Sequence, residues 1–516
     1  MAEIDNKSVP VLYLHGRRQI FTVVDEITEN NVLQEVNKAL AIHMQNVMEI
    51  DYLYWYRRGV HPILNRQKEI RPEINNKIVV NNAATVVMFK NGYFLTKPVT
   101  YKSRREDESV ANKVKKLNEF LYTSGKHEAD NEVVDWFHTV GVGDLYIEPN
   151  FRYFHGASDT PINVYAVDPR SAFVVYSMRP GNAPVYGANM VIDGDNVLID
   201  VITHDKVFRL SGSFSGMKVT DDPEIYTVAS TLDDVEPNIL GEIPIIEYQY
   251  NSSRMGAFES AIPLMDAIDL CESNRLDSIE QTVQNLMVLY NCELPDGETS
   301  NSVRDRGLIV LKSTNDNHAD VKLMSETLDQ QQTQTTLNDL YDQMLEKCGV
   351  PSSVRDRGST SDNVGAVYLR SGWAMADTDA RNTEDQFRQS NKRFDMVFTS
   401  ILRQLGELDI KMSDFDIVFI RNDMNNLLVK TQAAINMKEL GFAPEIAFEK
   451  SGLSNDPVND VERSKEYIDM KWGNEPVVNA EGSFADFGNE NNPDRSADDQ
   501  QKDGEKNGTD STVDAV

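Results

Sequence analysis

Residues 351–405 constrain the fold more than any other stretch, because they join a loop that cannot be buried to the longest helical pattern in the chain. Pro351 ends whatever precedes it. Residues 351–362 hold five Ser or Thr, one Gly, Arg355 and Arg357, with Val354 as the only apolar side chain. That composition leaves the backbone solvated. Ser361, Asp362 or Asn363 can cap a helix, and from Val364 no proline occurs until well past Leu405. Phe387, Phe394, Val397, Phe398, Ile401, Leu402 and Leu405 recur at helical spacing over that run. A helix over 363–405 spans roughly 60 Å, longer than one small domain. Residues 376–385 are almost wholly polar, so no single core is expected to cover this part, and Gly372 is where a bend comes most easily. Such a helix runs between packing layers or between subunits. Taken alone, the stretch reads equally as an ordinary linker and an ordinary helix.

The 516 residues suffice for two to four packing units, and 40% apolar with 8% aromatic residues suffice for real cores. No window approaches the roughly 18 to 20 apolar residues of a membrane span, and residues 1–10 lack the basic, then apolar, pattern of a signal. A soluble, intracellular protein without membrane partners is expected. Cys271, Cys292 and Cys348 have no pair-like spacing and no histidine cluster beside them, so they read as packing residues. The formal charge of -31 argues against gripping nucleic acid by neutralising phosphates. It permits a wall past which DNA slides.

In chain order, residues 9–14 and 20–24 read as strands of an N-terminal arm or hairpin. Residues 31–58 read as a helix with Val32, Val36, Leu40, Met44 and Val47 on one stripe, followed by the cluster Tyr52, Tyr54, Trp55 and Tyr56. Asn91-Gly92 reads as a turn between the apolar runs 75–90 and 93–101. Helical stretches follow at 110–122 and 131–140. Strands are expected at 163–167, 172–177, 197–203, 207–210 and 243–250, making the first half α+β with a mainly antiparallel sheet. Leu276, Ile279, Val283 and Leu286 form one narrow stripe on a helix over 261–289. Leu328, Leu337, Leu340, Met344 and Leu345 mark a second helix over 323–348. Between them a strand-like run, 308–311, sits in a polar segment, as a small β tip. A strand at 415–420 and short helices over 424–470, broken by Gly441, Pro444, Gly452 and Pro457, complete the ordered part. Residues 476–516 carry ten acidic and three basic side chains, the composition of a solvated, disordered tail.

Familiar catalytic patterns are missing. Gly141-Val142-Gly143 lacks the rest of a dinucleotide fingerprint and suits glycines entering a strand; Gly125-Lys126 is followed by His127 rather than the Ser or Thr of a phosphate loop. The eight histidines are scattered, and no metalloprotease or serine-hydrolase motif occurs. No cofactor or metal is expected. A nuclease using carboxylate-held Mg²⁺ is not excluded by sequence, because acidic residues are too numerous to single out a pair.

Several stretches taken in order resemble the portal proteins of tailed bacteriophages. They are Tyr56-Arg-Arg-Gly59, Ile74-Asn-Asn-Lys-Ile78, Asn91 through Tyr101, Gly141-Val-Gly-Asp-Leu-Tyr146, Val167-Asp-Pro-Arg170 and Phe173-Val-Val-Tyr176. Gly241 through Tyr248, Gly256-Ala-Phe-Glu259 and Ile262-Pro-Leu-Met-Asp266 complete the series. The resemblance implies an α+β portal fold: a 1–30 arm, a β-rich wing over 31–258, stem helices over 259–290 and 323–349, and a clip over 291–322. It further implies a channel loop over 350–362, a long kinked helix over 363–407, a returning strand over 408–423 and a crown over 424–473; the tail 474–516 lies outside it. Where relatives show Ser-Gly before the long helix, this chain has Asn363-Val-Gly365, so the helix start departs from the pattern.

The implied function is a non-enzymatic ring of twelve subunits at one capsid vertex, through which the viral genome is packaged, retained and ejected. Implied partners are the terminase large subunit, a head-completion or adaptor protein, capsid and scaffolding proteins, and double-stranded DNA without sequence readout. Its implied place is the virion, after assembly in the host cytoplasm. The channel loop would act through Ser352, Ser353, Arg355, Asp356, Arg357, Ser359 and Thr360. The clip would dock the motor through Asn301, Arg304, Asp305 and Arg306, and Gly372 would be the hinge. A head-tail connector or baseplate component is the alternative.

Overall fold

The computed structural model describes residues 16–69, 71–105, 107–215, 226–283, 286–290, 292–293, 312–313, 320–324, 330–352, 372–419, 427–454 and 457–465. They fall into two compact units, one ending at Asn426 and one beginning at Leu427. Helices and strands mix throughout the first, as an α+β chain.

Helix α1 (Val32–Arg57) organises the first unit because its two halves enter different cores. Val32, Val36, Leu40 and Met44 lie at helical spacing and pack on one face of a six-stranded sheet against Tyr186, Ile199 and Phe208. Ile50, Leu53 and Tyr56 enter the larger core instead. The sheet runs β1 (Ile20–Thr22), β5 (Ala172–Ser177), β6 (Pro184–Asp193), β7 (Asn196–Ile202), β8 (Lys206–Ser215) and β9 (Tyr226–Pro237). Its pairs are antiparallel except β1 with β5, which is parallel. The described partner of β1 is therefore a distant strand; the other half of the expected hairpin, 9–14, lies outside the described residues.

A second sheet orders β10 (Ile245–Gln249), β3 (Val142–Pro149) and β4 (Ile162–Val167). Helices α3 (Glu108–Thr123) and α4 (Lys126–Val140) pack in the same core. The pair Gly141 and Gly143 serves this junction. Gly141 ends α4 at φ +89°, and a Cβ on Gly143 would lie 2.7 Å from the Val133 carbonyl oxygen. Glycine there lets the helix approach the strand.

The expected turn at Asn91-Gly92 does not form. Both residues lie inside helix α2 (Asn82–Phe94), whose first turn is capped by the Asn81 side chain accepting from the Ala84 amide. Two long-range contacts outweigh the local preference: Asn91 donates to Asp135 at 2.6 Å and lies 2.7 Å from His138 Nδ1. Val86, Val87 and Phe94 enter the core beneath.

Past the second sheet, helix α5 (Ile262–Val283) is shorter than expected, because Leu286–Tyr290 is an unbroken apolar run that forms strand β11. It pairs antiparallel with β14 (Asp320–Met324), which likewise removes Leu323 from the following helix, and α6 spans Gln330–Lys347. Nested inside, β12 (Cys292–Glu293) pairs with β13 (Lys312–Ser313). The expected strand at 308–311 lies outside the described residues.

The long helix, α7, is described from Trp373 to Gln404, so Gly372 stands at its N-terminal boundary with φ +86° rather than within it. No single core covers the polar 376–385 segment: Ala376 and Ala380 are buried against Tyr93 of α2 in a small cluster apart from the main core. Small residues at that spacing let the two helices touch. Farther along, Phe387, Phe394, Phe398, Ile401 and Leu402 fill the main core. β15 (Phe415–Val418) then returns to pair with β2 (Thr100–Ser103).

The second unit holds α8 (Leu427–Glu439), α9 (Pro444–Ser451) and α10 (Pro457–Arg463), punctuated by Gly441 and Gly452 at positive φ. Ala434, Ala447 and Val461 are buried, while Ile435, Leu440, Phe442 and Ile446 stay exposed.

Candidate functional site

The paired helices α5 and α6, with the nested β pairs at one end and residues 349–352 and 372–379 at the other, form the candidate site. Helix α5 is fixed to the body by a ladder of polar side chains. Asp269, Ser273 and Asp277 lie four residues apart on one face and accept the backbone amides of Val80 (2.7 Å), Ile78 (2.9 Å) and Asn76 (2.8 Å). Four helical residues rise about 6 Å and two extended residues about 6.6 Å, so the periods match. The helix face thus stands in for a β partner, with 76–80 running antiparallel to α5.

The ladder continues at both ends. Tyr56 donates to Asp266 at 2.8 Å, and His61 Nδ1 lies 2.5 Å from Asp269 Oδ2. Lys68 and Arg66 pair with Asp277 at 2.7 and 3.2 Å. Burial works to raise the Asp277 pKa, but Lys68 and the two Asn76 donors outweigh it and hold it below the usual carboxylate value. Burial, above the nearby charges, pushes Tyr56 far above the ordinary phenol value. His61, Asp266 and Asp269 bring three possible metal-ligand atoms within 4.8 Å of one another. Tyr56 and Val80 already occupy carboxylate oxygens there, so the group reads as an internal hydrogen-bond cluster.

Away from the ladder, the expected stripe on α5 is left uncovered: Leu276 and Ile279 are 41% and 42% exposed. On α6, Leu337, Met344 and Leu345 are buried, and Arg275 of α5 donates to Gln334 of α6 at 2.9 Å. The clip residues Asn301, Arg304, Asp305 and Arg306 lie outside the described residues.

At the other end, the chain leaves α6 through Gly349 (φ +63°) and Pro351 and returns at Gly372. A Cβ on Gly372 would lie 3.8 Å from the Pro351 Cα, so the described residues on either side of 353–371 meet at one place. Ser352 is buried and donates to Asp342 at 2.6 Å, which ties it to α6. Ser353, Arg355, Asp356, Arg357, Ser359 and Thr360 lie outside the described residues.

Three side chains join the end of α6 to the start of α7. Lys90 Nζ lies 2.6 Å from Asp379 Oδ2 on α7 and 3.5 Å from the Gly349 carbonyl oxygen, and Tyr250 donates to the same Asp379 oxygen at 2.8 Å. Burial, then Asp379, pushes the Tyr250 phenol well above its ordinary value. Burial likewise pushes the Cys348 thiol up to about 12, which makes it inert as a nucleophile. A groove of about 320 Å³ opens beside them, bordered by Met255, Lys347 and Met375.

Sequence reasoning missed the ladder and the Lys90 contact. The four-residue spacing of Asp269, Ser273 and Asp277 was a visible signal; nothing local marks Lys90. A further signal is an exact internal repeat, since Ser-Val-Arg-Asp-Arg-Gly occurs at 302–307 and again at 353–358. The two segments flanking α6 therefore carry the same pair of arginines. Tyr56–Gly59, Ile74–Ile78 and Ile262–Asp266, which are far apart in sequence, all meet at the ladder.

The family model described as phage portal protein, SPP1 Gp6-like, matches residues 37–471. No curated protein matches the chain. Among the described residues, no helix is long and apolar enough to cross a membrane.

Proposed function

This chain belongs to the SPP1 Gp6-like phage portal protein family, and from that premise we propose that it forms a closed ring, twelve subunits by analogy, around a DNA channel. The carrying observation is the family match over 37–471. It is supported by a helix pair that leaves Leu276 and Ile279 uncovered in the single chain. Head-to-tail contacts that bury such stripes close into rings. In this reading residues 31–258 are the wing, α5 and α6 the stem, 291–322 the clip, 350–362 the channel loop, 363–407 the long helix and α8 to α10 the crown. The protein is a structural part of the virion, assembled in the host cytoplasm with capsid and scaffolding proteins, and has no catalytic role. Images of purified particles test it: a ring with a central channel is expected. A monomer that degrades DNA with added Mg²⁺ would overturn it.

The channel loop touches passing phosphates through Arg355 and Arg357, with Asp356 between them to soften the grip. Shortening residues 353–360 is expected to leave ring assembly intact while packaging or DNA retention fails. Normal packaging by the shortened loop would refute this role.

The clip docks the terminase motor and later the head-completion proteins through the segment bearing Asn301, Arg304, Asp305 and Arg306. Replacing Arg304 and Arg306 by alanine is expected to weaken motor binding about tenfold and to reduce its salt dependence, as loss of charges at an interface rim does, with rings unchanged. Unaltered motor binding together with lowered DNA retention would instead assign the repeated Arg-Asp-Arg to DNA at both places.

A further inference from the structure

We propose that Asn37 of α1 takes the place of a missing strand beside β9, closing that edge of the six-stranded sheet so that copies of this chain meet through side chains and not by adding strand to strand. The edge needs closing. β9 is a twelve-residue strand at the end of the sheet, and among the described residues β8 is the one strand it pairs with. A long open edge offers a row of unpaired N–H and C=O groups to any neighbouring chain, and assembly brings many identical edges together.

Asn37 answers with the chemistry of a peptide. Its side-chain amide donates to the Ala229 carbonyl oxygen at 2.9 Å, and its side-chain oxygen accepts from the Ala229 amide at 2.9 Å. Both backbone groups of one edge residue are thereby paired, as a neighbouring strand would pair them. Packing alone does not ask for asparagine here: Val36 and Leu40 supply the buried apolar contact on this part of α1, and leucine would suit the helix better. The same two-bond arrangement recurs. Asn46 of α1 holds the amide and the carbonyl of Arg18 at 2.8 Å each, two residues before β1, the strand at the sheet's other edge. Asn118 of α3 does the same for Tyr101 of β2, at 2.9 and 2.8 Å. One side-chain type, presented from helices, thus stands in for a strand at three places.

Two further features of β9 point the same way. Its register against β8 shifts between Ser211 and Gly212, so that Ser230 has no residue opposite it. Such a bulge bends an edge away from a flat partner. Exposed Asp233 and Asp234 follow, and charges on an edge disfavour strand addition.

The test uses the full chain carrying Asn37→Leu, alone and combined with Ser230→Lys. Ser230 is exposed, and lysine there sets a charge on the edge next to Ala229 without restoring either hydrogen bond. The readouts are particle images, native mass and the infrared band of intermolecular sheet. In Asn37→Leu, discrete assemblies are expected to fall several-fold in favour of open polymers with added sheet, because an edge contact that does not close propagates. Adding Ser230→Lys is expected to bring the discrete assemblies back. Polymers that persist in the double variant would mean ordinary misfolding, and unchanged assemblies in Asn37→Leu would mean that Asn37 does not close the edge; either result overturns the proposal. If Asn37→Leu fails to fold, hydrogen exchange on the wild-type chain decides: the Ala229 amide is expected to be protected before assembly, as in an interior strand, and exchange at the rate of an open amide would overturn the proposal. The ring reading above enters only through the assembly that is counted. A wild-type chain that forms no ring sinks that reading, while the shift of Asn37→Leu toward polymers still tests the edge.

Discussion

Replacing Asp269 by alanine is expected to destabilise the protein by about 3–5 kcal/mol, the cost of removing one partner from a buried charged cluster. Its carboxylate is the acceptor for the Val80 amide and faces His61, and the side chains of both His61 and Asp269 are fully buried. Alanine leaves an amide and an imidazole nitrogen without an acceptor where water does not reach. Ser273→Ala, which removes only the acceptor for the Ile78 amide, should cost about 1–3 kcal/mol. Chemical unfolding at fixed protein concentration measures both, since assembly makes stability concentration-dependent. An Asp269→Ala loss below that of Ser273→Ala would show that the ladder does not hold α5. Because α5 carries the uncovered stripe, the larger loss should also lower the yield of assembled rings.

The share of stability contributed by Asp395 should fall as pH rises from 4 to 7, and Asp395→Asn should remove that fall. Asp395 lies within α7, where the Tyr101 hydroxyl donates to it and Asn391 donates to it at 3.0 Å. Asn391 in turn accepts from Tyr248 at 3.0 Å and lies 3.5 Å from Lys126, which pairs with Asp130. Burial is the largest influence and, with the Asp130 charge, pushes Asp395 up to about 7 against the pull of Tyr101, Lys126 and Asn391. The unfolded carboxyl titrates near 4, so in between the folded state holds a proton that the unfolded state has lost. Folding is then favoured at low pH and loses up to roughly 4 kcal/mol on the way to pH 7. Above pH 7 the contribution is flat. The readout is the difference between wild-type and Asp395→Asn unfolding free energies across that range. A difference independent of pH would show that Asp395 is ionised throughout.

The sequence by itself determined what depends on near neighbours. Glycine and proline punctuation marked α8, α9 and α10, and the stripe Val32, Val36, Leu40 and Met44 marked the first half of α1. Helix propensity, capping and the period of an apolar face are set within a few residues, so they can be read in one pass. The order of short motifs also carried the family.

Tertiary structure decided wherever a distant partner outweighed local preference. Asn91-Gly92 is a turn by propensity but lies in a helix, because Asp135 and His138 engage Asn91 and the core takes the residues around it. Leu286 fits a helical stripe, yet pairing with Met324 draws it into a strand. Ala376 and Ala380 belong to a polar-looking segment and are buried because Tyr93 comes to lie against them. The candidate site follows the same rule: Lys90 and Asp379, or Val80 and Asp269, are joined across separations of 289 and 189 residues. A polar side chain's sequence neighbours set its charge and reach. Whether it is solvated or becomes a buried clamp depends on which acceptors the fold brings to it.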